Sequence, residues 1–173
     1  KEEGLSVIPS TMISASVIHD NSCKSDIIVS FLNRDFGISI KKGSGNSIHQ
    51  EKIIFFLDYI ETKLSCDIGD LFSWFISDLQ YAIELKKEAP ENLFKLKQFL
   101  DQNKELITKR FLQTGLVKHH HTQYIYYGTD TKGIWASIEK AIRVIISKKS
   151  RSTLPMGSLS IQAWNRTNEK KRH

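Results

Sequence analysis

The sequence predicts an α/β fold: a mixed central β-sheet that opens with a β-hairpin, is flanked by helices and carries a helical insert. Three observations lead there. Residues Lys24 to Ile60 read as strand, turn, strand, glycine loop and helix. Residues 65–115 then read as helix after helix. Strand chemistry returns at Thr122 and again near the C-terminus, so strands separated by helices must share one sheet.

The hairpin is read from alternation. Ile27, Val29 and Phe31 alternate with Asp26, Ile28 and Ser30 in a β-rich run, and Leu32-Asn33-Arg34-Asp35 supplies turn chemistry. Phe36 to Lys42 resumes the strand, and Gly43-Ser44-Gly45-Asn46 breaks it. Ser47-Ile48-His49-Gln50 fits a capping box, which predicts a helix with Glu51 in its first turn. Ile53, Phe56, Leu57, Ile60 and Leu64 fall on one face of that helix.

Three polar groups stand out in this stretch. Asp26 opens the first strand, and a hairpin places the start of one strand beside the end of its partner, so Lys41 is expected across from it. The short glycine loop returns Glu51 towards the same sheet end. Two carboxylates and an ammonium would then converge. That set suits Mg²⁺, a hard cation that takes a few carboxylates and completes its shell with water and phosphate oxygens.

The stretch resembles the active site of the PD-(D/E)XK nucleases, and type II restriction endonucleases in particular. The family pattern is an aspartate, a hairpin, then acidic-x-Lys on the second strand. Asp26 matches the aspartate and Lys41 the lysine, while Ser39 stands where an acid is usual. A subgroup of restriction enzymes shows this Ser-x-Lys and takes the missing carboxylate from the following helix, the role that Glu51 is placed to fill. The resemblance covers about a quarter of the chain. It implies Mg²⁺ held by Asp26, Glu51 and the carbonyl of Ile40, with Lys41 stabilising the transition state and Ser39 bonding a metal-bound water. Lys42, Ser44, Asn46, His49 and Gln50 would lie near the substrate phosphates. The implied partner is double-stranded DNA, read at a specific sequence. A homodimer is implied too, because restriction enzymes often pair two active sites to cut two strands.

Each residue also has a plainer reading on its own. Asp26 suits a turn edge, Lys41 and Lys42 an edge strand, and Glu51 the positive end of a helix dipole. Their joint order, with the glycine loop between, favours the nuclease. The rival function is a non-catalytic module that binds nucleic acid or protein on a nuclease-like fold. A phosphate-handling enzyme built on the glycine loop is disfavoured, because the loop lacks both the Walker lysine and a dinucleotide fingerprint.

The whole chain sets the frame. Its 173 residues suit one domain, 1–173, with residues 65–115 as the insert and 166–173 as a disordered tail. The net charge of +6 suits an anionic partner. Two cysteines make no disulfide framework, no apolar run approaches the ~20 residues of a membrane span, and no signal peptide opens the chain, which together favour a reducing cytoplasm.

The remaining elements follow from local signals. The run Thr11 to Ile18 favours a short helix over a strand. Asp67 can cap a helix to about Lys87, Pro90 opens one through Leu100, and Lys104 to Gln113 forms another closed by Gly115. Thr122 to Tyr127 reads as a strand ended by Gly128. His119, His120 and His121 before it would face alternate sides and make a poor metal site. Trp135 to Ser147 reads as a helix striped by Ile138, Ala141, Ile142 and Ile145, followed by the basic loop Lys148 to Ser152 and a last strand, Ser158 to Trp164.

Overall fold

The computed structural model describes residues 12–20, 22–42, 48–49, 51–65, 69–71, 73, 91–116, 119–150 and 154–161. The chain divides into two compact units, one of residues 1–48 and 108–143 and the other of 49–107 and 144–173.

The first unit is built on a five-stranded sheet in the order β1 (Ile13–Val17), β2 (Ile27–Phe31), β3 (Arg34–Lys41), β4 (Thr122–Gly128), β5 (Gly133–Ser137). Three of the four neighbouring pairs are antiparallel, and the pair β3 with β4 runs parallel. The sheet is therefore mixed, as the sequence predicts. The β2–β3 turn is tighter than expected: only Leu32 and Asn33 lie outside the ladder, with φ of 48° and 58°. Two consecutive left-handed residues match the twist of a two-residue hairpin. Across the hairpin the Ser30 hydroxyl donates to Asp35 at 2.6 Å.

Two expectations in this unit are corrected. The run around Ile13 is a strand, not a helix. Ile13, Ala15 and Val17 alternate with Ser14 and Ser16, and pairing with β2 outweighs the weak local preference. Likewise Trp135 does not start a helix. Residues 133–137 pair with β4 as β5, and the Trp135 ring lies 4.9 Å from that of Tyr126. The helix α4 (Ile138–Ser147) begins one residue after, where the Ser137 hydroxyl accepts from the Lys140 amide at 3.3 Å, an N-cap bond. Its Ile138 and Ile142 are buried.

The segment that leads into β4 is helical with a change of pitch. After α3 (Lys104–Lys109), residues Arg110–Thr114 form a π-helical turn. Gly115 closes it with φ of 62°, and its amide donates to the Arg110 carbonyl at 2.9 Å. A Cβ at Gly115 would meet the Ser22 carbonyl at 2.7 Å, so this terminator needs glycine twice over. The next amide, of Leu116, bonds the same Ser22 carbonyl and ties the turn to the approach of β2.

The second unit holds α1 (Ile53–Leu64) and α2 (Glu91–Gln102), with two short strands, β6 (Pro155–Met156) and β7 (Leu159–Ser160), paired as a small hairpin. Phe56, Leu57 and Ile60 of α1 are buried, as the helical spacing predicts, and so are Leu93, Leu96 and Leu100 of α2. Each such side chain contributes about 2 kcal/mol of burial. β6 lies against α2, with Met156 and Leu154 buried. The expected strand from Ser158 is corrected to this two-residue β7. Gly157 turns the chain at φ 66°, and Ser158 gives its amide to the Ile145 carbonyl instead of to a long ladder. Residues 162–164 lie outside the described residues. Of the helix expected from Asp67 to Lys87, residues 69–71 and 73 are helical and the others lie outside the described residues.

The start of α1 is also corrected. Residues 48–49 and 51–52 are not helical, and Lys52 is the N-cap, with extended backbone and no side-chain cap bond. The helix begins where the apolar run Ile53-Ile54-Phe55-Phe56-Leu57 begins, so burial and not capping sets its start. Glu51 therefore stands ahead of the helix, not in its first turn. Among the described residues no helix is long and apolar enough to cross a membrane.

Candidate active site

Asp26 lies one residue before β2, where the ladder ends with Ile27 opposite Ile38, and its amide donates to the Ile38 carbonyl at 2.8 Å. Its carboxylate thus reaches Ser39, two residues short of the Lys41 pairing that simple hairpin geometry suggests. Residues 39 and 41 share a strand face, and the result is a cluster on one carboxylate oxygen. The Oδ2 of Asp26 accepts from the Ser39 hydroxyl at 3.1 Å and the Ile40 amide at 2.5 Å, and lies 3.7 Å from the Lys41 ammonium. The side chains of Asp26 and Lys41 are 48% and 28% exposed, so the pair faces solvent. Ser39 is buried beneath it.

Deeper groups hold this end of the sheet. The Ser25 hydroxyl donates to the His120 carbonyl at 2.9 Å and lies 3.2 Å from the Thr122 hydroxyl. Ser25 and Thr122 are both buried. The Gly37 amide donates to the side-chain carbonyl of Gln123. A Cβ on Gly37 would come within 2.2 Å of the Ser25 hydroxyl and 2.4 Å of the His121 carbonyl, so only glycine allows β4 this close. The parallel register slips at the same point, between Gly37 and Ile38. None of Ser25, Gly37, Thr122 or Gln123 is singled out by the sequence. The adjacency of Ser25 to Asp26 is the one signal it offers.

Glu51 and His49 belong to the second unit. The His49 Nε2 lies 3.0 Å from the Glu51 carboxylate, and each side chain is only 4% exposed. Lys42 follows β3 and is exposed. Ser44, Asn46 and Gln50 lie outside the described residues. The structure thus brings Asp26, Ser39, Ile40 and Lys41 together in one unit, and His49 and Glu51 together in the other. The histidines before β4 do not form a ligand set: His119 and His120 pack edge-to-face at 4.9 Å.

Among the described residues no three His, Cys, Asp or Glu side chains gather into a metal cluster. Asp26 itself nevertheless offers hard carboxylate oxygens. All three interactions fall on Oδ2, and among the described residues nothing donates to Oδ1. A half-exposed carboxylate with one oxygen to spare fits a water-rich Mg²⁺ shell, which needs only one or two carboxylates, better than it fits a softer metal.

No family model and no curated protein matches the chain. Among solved structures, it is similar to the crystal structure of the restriction endonuclease MspI in complex with its cognate DNA. The TM-score is 0.61 at 18% identity, over 92% of this chain and 68% of that one. At this identity the likeness concerns the backbone architecture. The mixed five-stranded sheet flanked by helices is the restriction-endonuclease-like α/β fold.

Proposed function

We propose that the chain is a Mg²⁺-dependent endonuclease that hydrolyses phosphodiester bonds in double-stranded DNA at a specific sequence, as a single nuclease domain of the PD-(D/E)XK type. The observation that carries this reading is the convergence of Ser39, Ile40 and Lys41 on Asp26 at one end of a restriction-endonuclease-like sheet. The net charge of +6 and the DNA held by the structural neighbour support the substrate class.

In this reading Asp26 and the Ile40 carbonyl hold the metal. Bound Mg²⁺ would lower the pKa of a coordinated water and offset charge on the phosphate. Lys41 presents its ammonium beside Asp26, where it orients the attacking water and stabilises negative charge that develops on the phosphorus oxygens. Ser39 and the Ile40 amide fix one oxygen of Asp26, which directs the other outward. Lys42, Ser44, Asn46 and Gln50 would meet the DNA backbone. The protein would work in the reducing cytoplasm.

A second reading has an observation of its own. The Glu51 carboxylate is almost fully buried and already paired with His49. That is the state of a structural contact, and it favours a module that keeps the fold and binds nucleic acid or protein without cutting. One experiment separates the two: purified protein is incubated with mixed-sequence plasmid DNA, with Mg²⁺ or with EDTA. Discrete fragments that form only with Mg²⁺ support the nuclease. Intact plasmid under all conditions, with DNA retained in a mobility shift, supports the binding module.

A further inference from the structure

Among the described residues strand β1 is an edge of the sheet, and all five of its residues are exposed. Its sequence, Ile13-Ser14-Ala15-Ser16-Val17, holds no charge, no proline and no bulge against β2. Those are the devices by which edge strands ordinarily resist pairing with another chain. Ile13 and Val17 are 55% and 63% exposed, which is unusual for β-branched side chains on a sheet.

β1 and β2 pair antiparallel with Val17 opposite Ile27, and the Ile18 amide donates to the Asp26 carbonyl at 3.0 Å. Hydrogen-bonded and non-bonded pairs alternate along such a ladder. Residues 14, 16 and 18 therefore turn their amides and carbonyls towards β2, and Ile13, Ala15 and Val17 turn theirs outward.

We propose that β1 is a self-pairing surface, and that its partner is the β1 strand of a second copy of this chain. An antiparallel pair about a two-fold axis through Ala15 sets Ile13 opposite Val17 of the other copy and Ala15 opposite itself. Every outward amide then meets an outward carbonyl. On one sheet face the apolar residues Ile13, Ala15 and Val17 meet their counterparts, and on the other Ser14 meets Ser16. The strand reads alike in both directions, which is what an isologous interface requires. The two five-stranded sheets would join into one of ten strands. The opposite edge, β5, is less suited: it opens with Gly133 and runs directly into α4. The proposal does not depend on the nuclease reading.

The test uses single cysteines on a background of Cys23→Ser and Cys66→Ser. An antiparallel hydrogen-bonded pair has its Cα atoms about 5.5 Å apart, within the range of a disulfide. Ala15→Cys should therefore form a covalent dimer under mild oxidant, while Val17→Cys alone should not. Mixing Ile13→Cys with Val17→Cys should restore cross-linking. In parallel, sedimentation of the unmodified chain from low to high micromolar concentration should show mass rising towards twice that of the monomer. Ala15→Pro removes an outward amide without touching a bond to β2, so it should hold the chain monomeric with an unchanged circular dichroism spectrum. A monomer at every concentration overturns the proposal. So does cross-linking of Val17→Cys as fast as Ala15→Cys, which would mean random collision or another register.

Discussion

The Lys41 ammonium stands 3.7 Å from the Asp26 carboxylate oxygen that also accepts from Ser39 and from the Ile40 amide. One carboxylate oxygen thus takes two hydrogen bonds and an ion-pair contact from three consecutive residues of β3. An exposed ion pair by itself stabilises a protein by little, typically under about 1 kcal/mol. This arrangement is better explained as a device for holding an ammonium and a carboxylate at fixed positions on a solvent-facing sheet end.

Replacing Lys41 should consequently affect chemistry more than folding. In Lys41→Ala, Asp26 keeps its bonds to Ser39 and Ile40, so thermal stability should move by no more than about 1 kcal/mol. Cleavage should fall by about 10² to 10³-fold, the usual cost of removing one preorganised group that stabilises developing charge. DNA affinity, shared among many phosphate contacts, should change little. Lys42 follows β3 and alternation turns it to the other face, so Lys42→Ala is the control. Equal loss of cleavage in the two variants would remove Lys41 from its assigned role.

Asp26→Asn tests the metal directly. The amide can still accept from Ser39 and Ile40 but is a poor ligand for a hard cation. Titration calorimetry with Mg²⁺, or with Mn²⁺ as a stand-in, should show heat of binding in the unmodified chain and none in the variant. The melting temperature gained by adding Mg²⁺ should vanish with it, since only ligand binding to the folded state produces that gain. Undiminished metal binding by Asp26→Asn would exclude this carboxylate as a ligand.

DNA binding should weaken steeply with salt. Each phosphate neutralised by a lysine or arginine releases counterions, with a slope of about −0.9 per contact in log K against log salt. Lys42, Lys148 and Lys149 are exposed and available for such contacts. A slope near zero in filter binding from low to physiological salt would count against DNA as the partner.

Cys23 offers a pH-dependent readout of the approach to β2. Burial, and then the neighbouring Asp20 carboxylate, raise the thiol above its ordinary value. Asp20 itself is held below the usual carboxylate range by bonds from the Ser22 hydroxyl and amide, so it is ionised wherever the thiol titrates. On a Cys66→Ser background, alkylation should accelerate at a higher pH than it does for free cysteine. Asp20→Asn removes one of the two causes and should shift that profile part of the way down. No shift in the variant would leave burial as the whole explanation.

How much of this was legible in the residues alone varied with the range of the forces involved. The β2–β3 hairpin, the buried face of α1, and the Gly115 terminator rest on local periodicity and local turn chemistry, and the sequence carries them. Ile13–Val17 and Trp135–Ser137 are different. Each is short, and its conformation is decided by a neighbouring strand that local preference does not reveal. The start of α1 fails for a related reason: a formal capping pattern at Ser47 competes with the apolar run from Ile53, and burial prevails. At the site, the type of contact between Asp26 and the Ser39-Ile40-Lys41 run follows from hairpin topology, whereas the register that brings the Asp26 carboxylate to Ser39 depends on a two-residue turn. The support from Ser25 and Gln123 depends on β4, nearly a hundred residues away, and has no local signature.

That support gives the last prediction. Gly37 is where β4 comes closest to the hairpin: a Cβ there would lie 2.2 Å from the Ser25 hydroxyl and 2.4 Å from the His121 carbonyl. The hydroxyl can rotate away, but the carbonyl belongs to backbone that must move as a piece. Gly37→Ala should therefore force β4 outward, weaken the Gly37 bond to Gln123 and cost about 1 to 3 kcal/mol, the range typical of overpacking. Ser25→Ala should cost less, about 1 kcal/mol, because it removes a hydrogen bond without adding volume. Since Ser25 precedes Asp26 and Gly37 precedes Ser39 by two residues, a shift here would also move both strands of the site. Gly37→Ala should lose cleavage as well as stability, while Ser25→Ala should keep most of its cleavage. Chemical denaturation with urea gives the first quantity and plasmid cleavage the second. A Gly37→Ala variant as stable as the unmodified chain would show that the β3–β4 approach is not held where the structure has it.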